Sequence, residues 1–212
     1  MEILKPDDFS KRIIVGISGA SGVVYGLEML RALKELGYES HAIISRGAQK
    51  IFELETDVAF EEVESAAAYV YDDDDLGAAV SSGSFVTGGM AVIPCSIKTL
   101  SGIAHSYNAN LIVRAADVCL KERRPLVLVV RETPLHQGHL SLMVSATSHG
   151  AVILPPVPAF YNRPQTIDDI IRHTVGKALD ALRIPNNLYR RWEGSAMSTE
   201  KRGAADRSSG SA

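Results

Sequence analysis

The 212-residue chain lacks the residue patterns that mark several large classes of protein. It carries 22 Lys and Arg against 25 Asp and Glu, so it has no basic excess to attract nucleic acid. Its only two cysteines, Cys95 and Cys119, are far apart in sequence, and we expect buried thiols rather than a redox or zinc pair. No apolar run approaches the length of a membrane span, and no secretory pattern is visible, so we predict a cytoplasmic protein.

What the chain does contain favours a single α/β domain. With 46% hydrophobic residues, it can build one full core more readily than two small ones. Short β-branched stretches alternate with helical patterns, which is typical of a three-layer, Rossmann-like doubly wound parallel sheet. We expect strands at 12–17, 39–45, 90–94, 126–130 and 151–154, and helices at 22–36, 47–54, 99–105, 110–123, 140–147 and 167–182.

Two segments have low apolar content or high charge. Residues 57–80 are acidic and include the run DDDD at 72–75, which we expect to be an irregular, solvated loop. Residues 195–212 contain almost no apolar side chains, and we expect a disordered tail there. The folded domain is therefore predicted to span residues 1–194.

The segment VGISGASG, residues 15–22, places three glycines and two serines between the first strand and the first helix. Backbone N–H groups in such a turn can approach an anion such as phosphate. The spacing is not G-x-G-x-x-G, because Ser18 occupies the middle glycine position, and no acidic residue ends the second strand, which disfavours NAD. A tight turn that only packs the helix against the strand explains the same residues.

A second turn of similar character lies in VIPCSIKTLSG, residues 92–102. A buried strand there leads into Ser96 and Thr99 at the start of another helix. At the switch point of a doubly wound sheet, this turn and the first one open into one crevice, which suits a flat heteroaromatic cofactor with a phosphate. Taken singly, Ser96 and Thr99 are also ordinary N-terminal caps.

Further charged residues fall near the predicted ligand edge. Arg131 and Glu132 follow the apolar strand 126–130, at the edge where ligands bind in such sheets. Arg114 and Lys121 share one helix face, which either binds a phosphate from a neighbouring subunit or is simply solvated. The pair His136 and His139 has no third ligand nearby in sequence, so we expect hydrogen-bonding histidines and no metal site.

Seven segments, taken together, resemble the UbiX-type flavin prenyltransferases, including the small B subunits that accompany UbiD-type aromatic acid decarboxylases. In chain order they are GISGASGVVYGLEML, SRGAQKIFELET, SSGSF, IPCSIKTLSGIA, RAADVCLKERRPLVLVVRETPL, GAVILPPVPAFYNRPQTIDDI and RRWEG. The resemblance covers about residues 12–194 and implies a flavin-binding prenyltransferase domain.

The resemblance implies a specific reaction. Such proteins bind FMN and transfer a dimethylallyl group from dimethylallyl monophosphate to flavin N5 and C6. The prenylated FMN then serves a UbiD-type decarboxylase. No metal takes part. Sites in this family are assembled from several chains, so a homo-oligomer, a dodecamer, is implied.

The resemblance also implies residue roles. FMN would be contacted by Gly19, Ala20, Ser21, Ser45, Ser96, Ile97, Lys98, Thr99 and Arg131. The prenyl substrate would be held by Ser82, Gly83, Ser84, Arg114, Lys121, Tyr161, Lys177 and Trp192. The catalytic residues would be Glu132, Glu55 and Ser21, with the two carboxylates beside the reacting centre.

Three departures from the family pattern leave other functions open. Lys177 stands where Arg is common, Leu76 where some members carry Trp, and HLSLM at 139–143 where HLENM is usual. One alternative is a non-catalytic flavin carrier or accessory subunit of an aromatic acid decarboxylase. A flavin-dependent cysteine decarboxylase is disfavoured, because its P-x-M-N-x-x-M-W type substrate clamp is not found in the sequence.

Overall fold

Six parallel strands form one sheet in the order β3-β2-β1-β4-β5-β6. The structure, a computed structural model, describes residues 11–192. The strands are β1 (Arg12–Ile17), β2 (Glu39–Ile44), β3 (Tyr69–Asp72), β4 (Gly89–Cys95), β5 (Leu126–Val130) and β6 (Val152–Ile153). The helices are α1 (Val23–Glu35), α2 (Arg46–Glu55), α3 (Phe60–Ala66), α4 (Ile97–Ala104), α5 (Leu111–Lys121), α6 (Gln137–Ser148) and α7 (Ile167–Ala181), with a 3₁₀ turn at Ala79–Ser81.

The strand order confirms the predicted doubly wound sheet. The chain moves outward from β1 through β2 to β3, then returns to place β4 on the other side of β1. Strands β1 and β4 pair in parallel, with Ile13 opposite Gly89 and Gly16 opposite Val92. The turns that follow these two strands therefore emerge side by side at the carboxyl edge of the sheet.

Successive side chains of the buried strands point to opposite faces of the sheet, so the core has two parts. Ile13, Val15 and Ile17 pack on one face with the apolar sides of α1 and α7. Ile14 and Met90 pack on the opposite face with α4, α5 and α6. This is the expected three-layer arrangement, and it places α5 and α7 on opposite sides of the sheet.

The acidic segment 57–80 is more regular than its sequence predicted. It contains helix α3 and strand β3, so the expectation of an irregular loop was wrong. Helix α3 is short and buries only Val63 and Ala66, three residues apart, while its other positions are mostly acidic and exposed. Strand β3 is an edge strand that pairs only with β2 and leaves Tyr69 and Val70 exposed. Sparse burial explains why neither element shows a clear apolar pattern.

One residue of the DDDD run is buried and structural. Asp73 is only 7% exposed, and its carboxylate accepts hydrogen bonds from the Ile112 N–H at 3.0 Å and from Asn110 Nδ2 at 2.8 Å. Its backbone carbonyl accepts the Leu111 N–H at 2.7 Å. Burial raises the pKa of Asp73, while the bonds from Ile112 and Asn110 oppose that rise. Asp73 therefore fastens β3 to the start of α5, and the prediction of a fully solvated run was wrong for this residue.

Three further predictions concern the cysteines, membrane-spanning segments and the C-terminal tail. Cys95 and Cys119 are buried free thiols, as expected, and burial raises the pKa of Cys119 to about 12. Among residues 11–192, no helix is both long and apolar enough to cross a membrane. The predicted tail at 195–212 lies outside the described residues.

We predict that Asp73→Ala lowers the free energy of unfolding by about 1–3 kcal/mol, because it leaves a buried N–H and a half-buried amide without their acceptor. Urea denaturation followed by circular dichroism measures the change. Asp74→Ala is the matched control, since Asp74 only forms an exposed ion pair with Arg46. Equal losses for the two variants would contradict the structural role of Asp73.

Candidate functional site

A buried serine joins the turns that follow β1 and β4. Ser18 is 2% exposed, and its hydroxyl donates to the Pro94 carbonyl at 2.9 Å and accepts the Ser96 N–H at 2.8 Å. The Ser18 N–H also donates to the Pro94 carbonyl, at 3.2 Å. These bonds hold the two turns against each other, so the turns that the sequence placed at one crevice do adjoin.

The first turn also packs closely against the start of α2. A Cβ atom on Gly19 would lie 3.1 Å from the Gly47 Cα, a contact tighter than ordinary packing. Gly22, which precedes α1, has a φ of 92°, a left-handed conformation that glycine adopts without strain. Glycine at positions 19 and 47 therefore lets two backbone segments meet where side chains would separate them.

Beside this contact lies a cavity of about 970 Å³ at the carboxyl edge of the sheet. The starts of α2, α4 and α5 form its walls. Ser45 caps α2 by accepting the Ala48 N–H at 3.1 Å, and Ser96 caps α4 by accepting the Thr99 N–H at 3.3 Å. The first N–H groups of a helix have no acceptor within the helix, so these walls present hydrogen-bond donors to a ligand.

The cavity residues fit FMN. The starts of α2 and α4 together with Lys98 supply positive potential and N–H donors for a phosphate. The wall at Gly19 and Gly47 consists of backbone, so a ligand there meets main-chain groups directly. A volume near 970 Å³ is at the upper end of the usual range for ligand sites, about 300–1,000 Å³.

The predicted FMN residues divide into two groups in the structure. Those that line the cavity are Gly19, Ser45, Ser96, Lys98 and Thr99. The remainder lie outside its lining: Ala20, Ser21, Ile97 and Arg131. Sequence reasoning missed Asp73 and Asn110, which line the cavity beside the start of α5. Asp73 was hidden within a charge run that gave no separate signal for it.

Glu55 occupies the place where the sequence favoured a phosphate. Its Oε2 atom accepts the Gly22 N–H at 2.7 Å, so a carboxylate of this chain sits at the start of α1. An acidic side chain there is favoured by the helix dipole. The N–H of the residue before α1 is therefore already bonded by a carboxylate, whereas within residues 11–192 no carboxylate bonds the first N–H groups of α2 or α4.

Glu55, Glu132 and Ser21, the predicted catalytic residues, are not joined by direct contact. Glu132 is exposed and accepts its neighbour Thr133 N–H at 3.0 Å. Within residues 11–192 we find no hydrogen bond or ion pair from Glu132 to Glu55 or Ser21. Glu55 lies against the first turn, whereas Glu132 follows β5.

Arg131 links the end of β5 to the region around α1. Its N–H donates to the Cys95 carbonyl at 3.0 Å, beside the turn that carries Ser96. Burial raises the pKa of Tyr25 in α1, and a hydrogen bond to Thr174 and the charge of Arg131 oppose that rise. Arg131 therefore lies near Tyr25, a residue that sequence reasoning missed.

A second cluster of predicted substrate residues surrounds His173 on α7. The Tyr161 hydroxyl lies 3.1 Å from His173 Nε2, and the Tyr161 and Trp192 rings are 6.0 Å apart. Burial, and secondarily the charge of Lys177, lowers the pKa of His173. The structure thus brings Tyr161, Lys177 and Trp192 together around a histidine that sequence reasoning missed, although its four-residue spacing from Lys177 was a usable signal.

A third cluster lies on the opposite face of the sheet, along α5. The hydroxyls of Ser82 and Ser84 are 2.8 Å apart, and Arg114 Nε donates to the Ser81 carbonyl at 3.0 Å. Lys121, which pairs with Glu122, lies ten residues after the start of α5, about 15 Å along the helix axis. Gly83 lies against Lys121 and Glu122. Within one chain, the predicted substrate residues are therefore split between the two faces.

The two histidines of the H-x-x-H pair interact with each other. The rings of His136 and His139 have centroids 3.6 Å apart, and His136 Nδ1 accepts the Gly138 N–H at 3.0 Å. In the part of the chain that the structure describes, no group of three or more His, Cys, Asp or Glu side chains is placed to hold a metal ion.

We predict that Ser18→Ala weakens FMN binding at least about tenfold and lowers the free energy of unfolding by about 1–3 kcal/mol. The substitution removes the hydroxyl that joins the two turns and leaves the Ser96 N–H without its acceptor. Flavin fluorescence quenching and thermal unfolding measure the two effects. Ser148→Ala is the control, because that exposed hydroxyl only bonds a carbonyl of its own helix. Unchanged flavin affinity in Ser18→Ala would contradict the assignment.

We predict that Lys177→Met raises the pKa of His173, because it removes a positive charge that disfavours the imidazolium. The pKa stays below its ordinary value, since burial is the larger cause of the depression. An NMR titration of the His173 ring protons measures the shift. Lys34→Met is the control, since Lys34 bonds the Ser65 carbonyl elsewhere in the molecule. A His173 titration that does not move with Lys177→Met would refute the proximity.

Comparisons with known proteins bear on this geometry. The model of the Flavoprotein family matches residues 2–177. The flavin prenyltransferase UbiX of Escherichia coli (strain K12) is 56% identical over 187 residues, which is 87% of this chain and 99% of the relative.

Two solved structures extend the match to the fold. The crystal structure of AnUbiX in complex with FMN and dimethylallyl pyrophosphate has a TM-score of 0.86 and 46% identity, covering 88% of this chain and 99% of that one. A dodecameric, FMN-dependent UbiX-like decarboxylase from Escherichia coli O157:H7 has a TM-score of 0.84 and 46% identity, covering 86% and 100%. The sheet order, the joined turns and these matches agree, and the chain belongs to the UbiX flavin prenyltransferases of the Flavoprotein family.

Proposed function

We propose that this protein is a flavin prenyltransferase. It transfers a dimethylallyl group from dimethylallyl monophosphate to N5 and C6 of reduced FMN, and the prenylated FMN passes to a UbiD-type decarboxylase. The observation that carries the proposal is the 56% identity to a flavin prenyltransferase across 87% of the chain. The cavity beside the joined turns supports it, because its residues fit FMN.

The cavity residues bind and orient the cofactor. The starts of α2 and α4, with Ser45, Ser96 and Lys98, receive the phosphate. The side-chain-free wall at Gly19 and Gly47 accommodates the ring. Reduced FMN, when bound, supplies the nucleophilic nitrogen and carbon that accept the allyl group. By capping α2 and α4, the two serines fix the donors before any ligand arrives, so little ordering is needed on binding.

The two substrate clusters suit the two ends of an allylic phosphate. Departure of the phosphate requires cations, which Arg114, Lys121 and Lys177 supply. The allyl cation requires a dry, π-rich surface, which Tyr161 and Trp192 extend beyond the flavin itself. Glu132 stabilises positive charge near the ring or takes up the flavin proton.

These clusters also support assembly from several chains. Lys177 and Tyr161 belong to the face of α7, whereas Arg114 and Lys121 belong to α5 on the other face. One chain cannot bring these three cations and the Tyr161 ring to one phosphate, because its own sheet lies between them. We therefore propose that contacts between chains join them in a homododecamer with shared sites, which agrees with a dodecameric structure of a similar protein. The cytoplasmic location stays a prediction from the sequence.

The alternatives are less well supported. A flavin carrier would retain the FMN cavity but need no cationic clusters, and the chain has cations on both α5 and α7. The substitutions that kept this alternative open are Lys177 and Leu76. Lys177 keeps its positive charge, and Leu76 is a half-exposed side chain. A cysteine decarboxylase would need a substrate clamp that the sequence lacks.

The proposal is tested by incubating the purified protein anaerobically with reduced FMN and dimethylallyl monophosphate. We expect the extracted flavin to gain one five-carbon unit by mass spectrometry. A parallel reaction with dimethylallyl pyrophosphate compares the two donors, and we expect the monophosphate to give the faster rate. Size-exclusion chromatography with light scattering gives the oligomeric state of the same sample.

The controls separate the candidate functions. Lys177→Met should slow the flavin's mass gain at least about tenfold, because it removes one cation from the leaving phosphate. Lys34→Met is the control and should not slow the mass gain, because Lys34 lies in the last turn of α1 and bonds the Ser65 carbonyl. Bound flavin without any mass gain in the wild-type protein would support the carrier, and decarboxylation of a cysteine peptide would support the rival enzyme.

A further inference from the structure

We propose that Arg124 is a positioning residue for the prenyl donor, acting through the segment Ser82–Ser84. This inference rests on the proposed function, because that segment is a proposed phosphate site. Arg124 follows the end of α5 and is only partly exposed. A cation near the C-terminus of a helix complements the helix dipole, which accounts for the charge of Arg124 but not for its two side-chain hydrogen bonds.

The backbone carbonyls at one side of the segment are held by two arginines. Arg124 Nη2 donates to the Gly83 carbonyl at 2.7 Å, and Arg124 Nη1 donates to the Phe85 carbonyl at 2.8 Å. Arg114 Nε donates to the Ser81 carbonyl at 3.0 Å. Alternate carbonyls at positions 81, 83 and 85 therefore each accept a guanidinium N–H.

This pattern decides which groups the segment can offer to an anion. A carbonyl oxygen directed at a phosphate would repel it, and the arginines hold three of these oxygens in other bonds. The exposed groups include the Ser82 and Ser84 hydroxyls, which lie 2.8 Å apart. The two hydroxyls bond each other, so one of them is free to donate to a phosphate while the bond is kept, and the other can donate only when the bond is given up. By bonding these carbonyls, Arg124 leaves the serine hydroxyls as the groups of the segment that can bind an anion.

Both partners in the contact between Arg124 and the segment are anchored elsewhere in the fold. The Arg124 N–H donates to the Cys119 carbonyl at 2.8 Å, which fixes its backbone at the end of α5. At the far end of the segment, the Phe85 ring lies edge-on to His41 at 5.1 Å between centroids. The segment is therefore anchored to α5 through Arg124 and to the sheet edge through Phe85.

Lysine cannot reproduce the two bonds that Arg124 makes. The planar fork of Arg reaches two acceptors in a fixed geometry, whereas the ammonium of Lys is a compact point charge. Neighbouring Arg123 carries the same charge at the same helix end, but it is exposed, and its side chain makes no hydrogen bond or ion pair within residues 11–192. If charge near the helix end were all that mattered, Arg123→Lys and Arg124→Lys would behave alike.

The experiment measures steady-state kinetics of flavin prenylation by the full chain, together with direct binding of dimethylallyl monophosphate by calorimetry. We expect Arg124→Lys to raise the KM and the Kd for the donor at least about tenfold. The kcat should change less than about twofold, and the affinity for FMN should not change, because the flavin cavity is walled by other elements. Arg123→Lys, the matched control, should leave all four constants unchanged.

A second variant shows whether Arg124 acts through the serines. Ser84→Ala should also weaken donor binding, and the double variant Arg124→Lys with Ser84→Ala should lose less than the product of the two single effects. Arg124→Gln replaces Arg124→Lys if the latter does not fold, since its amide can still bond one carbonyl.

With the single variants, either of two results overturns the inference: an unchanged donor KM in Arg124→Lys, or equal changes in Arg123→Lys and Arg124→Lys. Multiplicative effects in the double variant would also overturn it. These outcomes are distinct from failure of the proposed function, in which the wild-type protein gives no prenylated flavin at all.

Discussion

The structure of the site depends on one hydroxyl, that of Ser18, which bonds the Pro94 carbonyl and the Ser96 N–H at once. Parallel pairing of β1 and β4 brings their ends together but does not fix the conformation of the turns that follow. A buried hydroxyl with both a donor and an acceptor partner does fix them, because leaving either bond unmade in a water-free interior is costly. Ser18 thus determines where α4 begins relative to the first turn, and the cavity wall follows from it.

The starts of the helices differ in whether a carboxylate of the protein already bonds them. The start of α1 is occupied by Glu55, and the start of α5 by Asp73. The starts of α2 and α4 are capped by neutral serine hydroxyls, so their dipoles remain uncompensated by any carboxylate bond. We therefore expect a ligand's phosphate at the starts of α2 and α4, although the glycines before α1 suggest that helix from sequence.

Deeply buried strands could be predicted from the sequence, whereas weakly buried elements could not. Strands β1 and β5 were predicted with their bounds, because nearly all their residues are apolar and β-branched or leucine. Edge strand β3 and helix α3 were not predicted, because each buries few side chains and so has no clear apolar pattern in the sequence. Ser18 was noticed only as a missing glycine, and Asp73 only as a member of a charge run. Both act through partners 37 to 78 residues away, which no local pattern reveals.

Helix α5 connects the two halves of the proposed chemistry. Its start is fastened to β3 by Asp73 beside the flavin cavity, and the arginine that follows its end holds the Ser82–Ser84 segment. Both attachments are hydrogen bonds between a charged side chain and backbone, so neither depends on close apolar packing at the helix ends. A helix fixed at both ends holds the cavity wall and the Ser82–Ser84 segment in one constant arrangement. The α7 cluster lies on the opposite face of the sheet, so the proposed sharing of sites has to bring α7 of one copy to α5 of another.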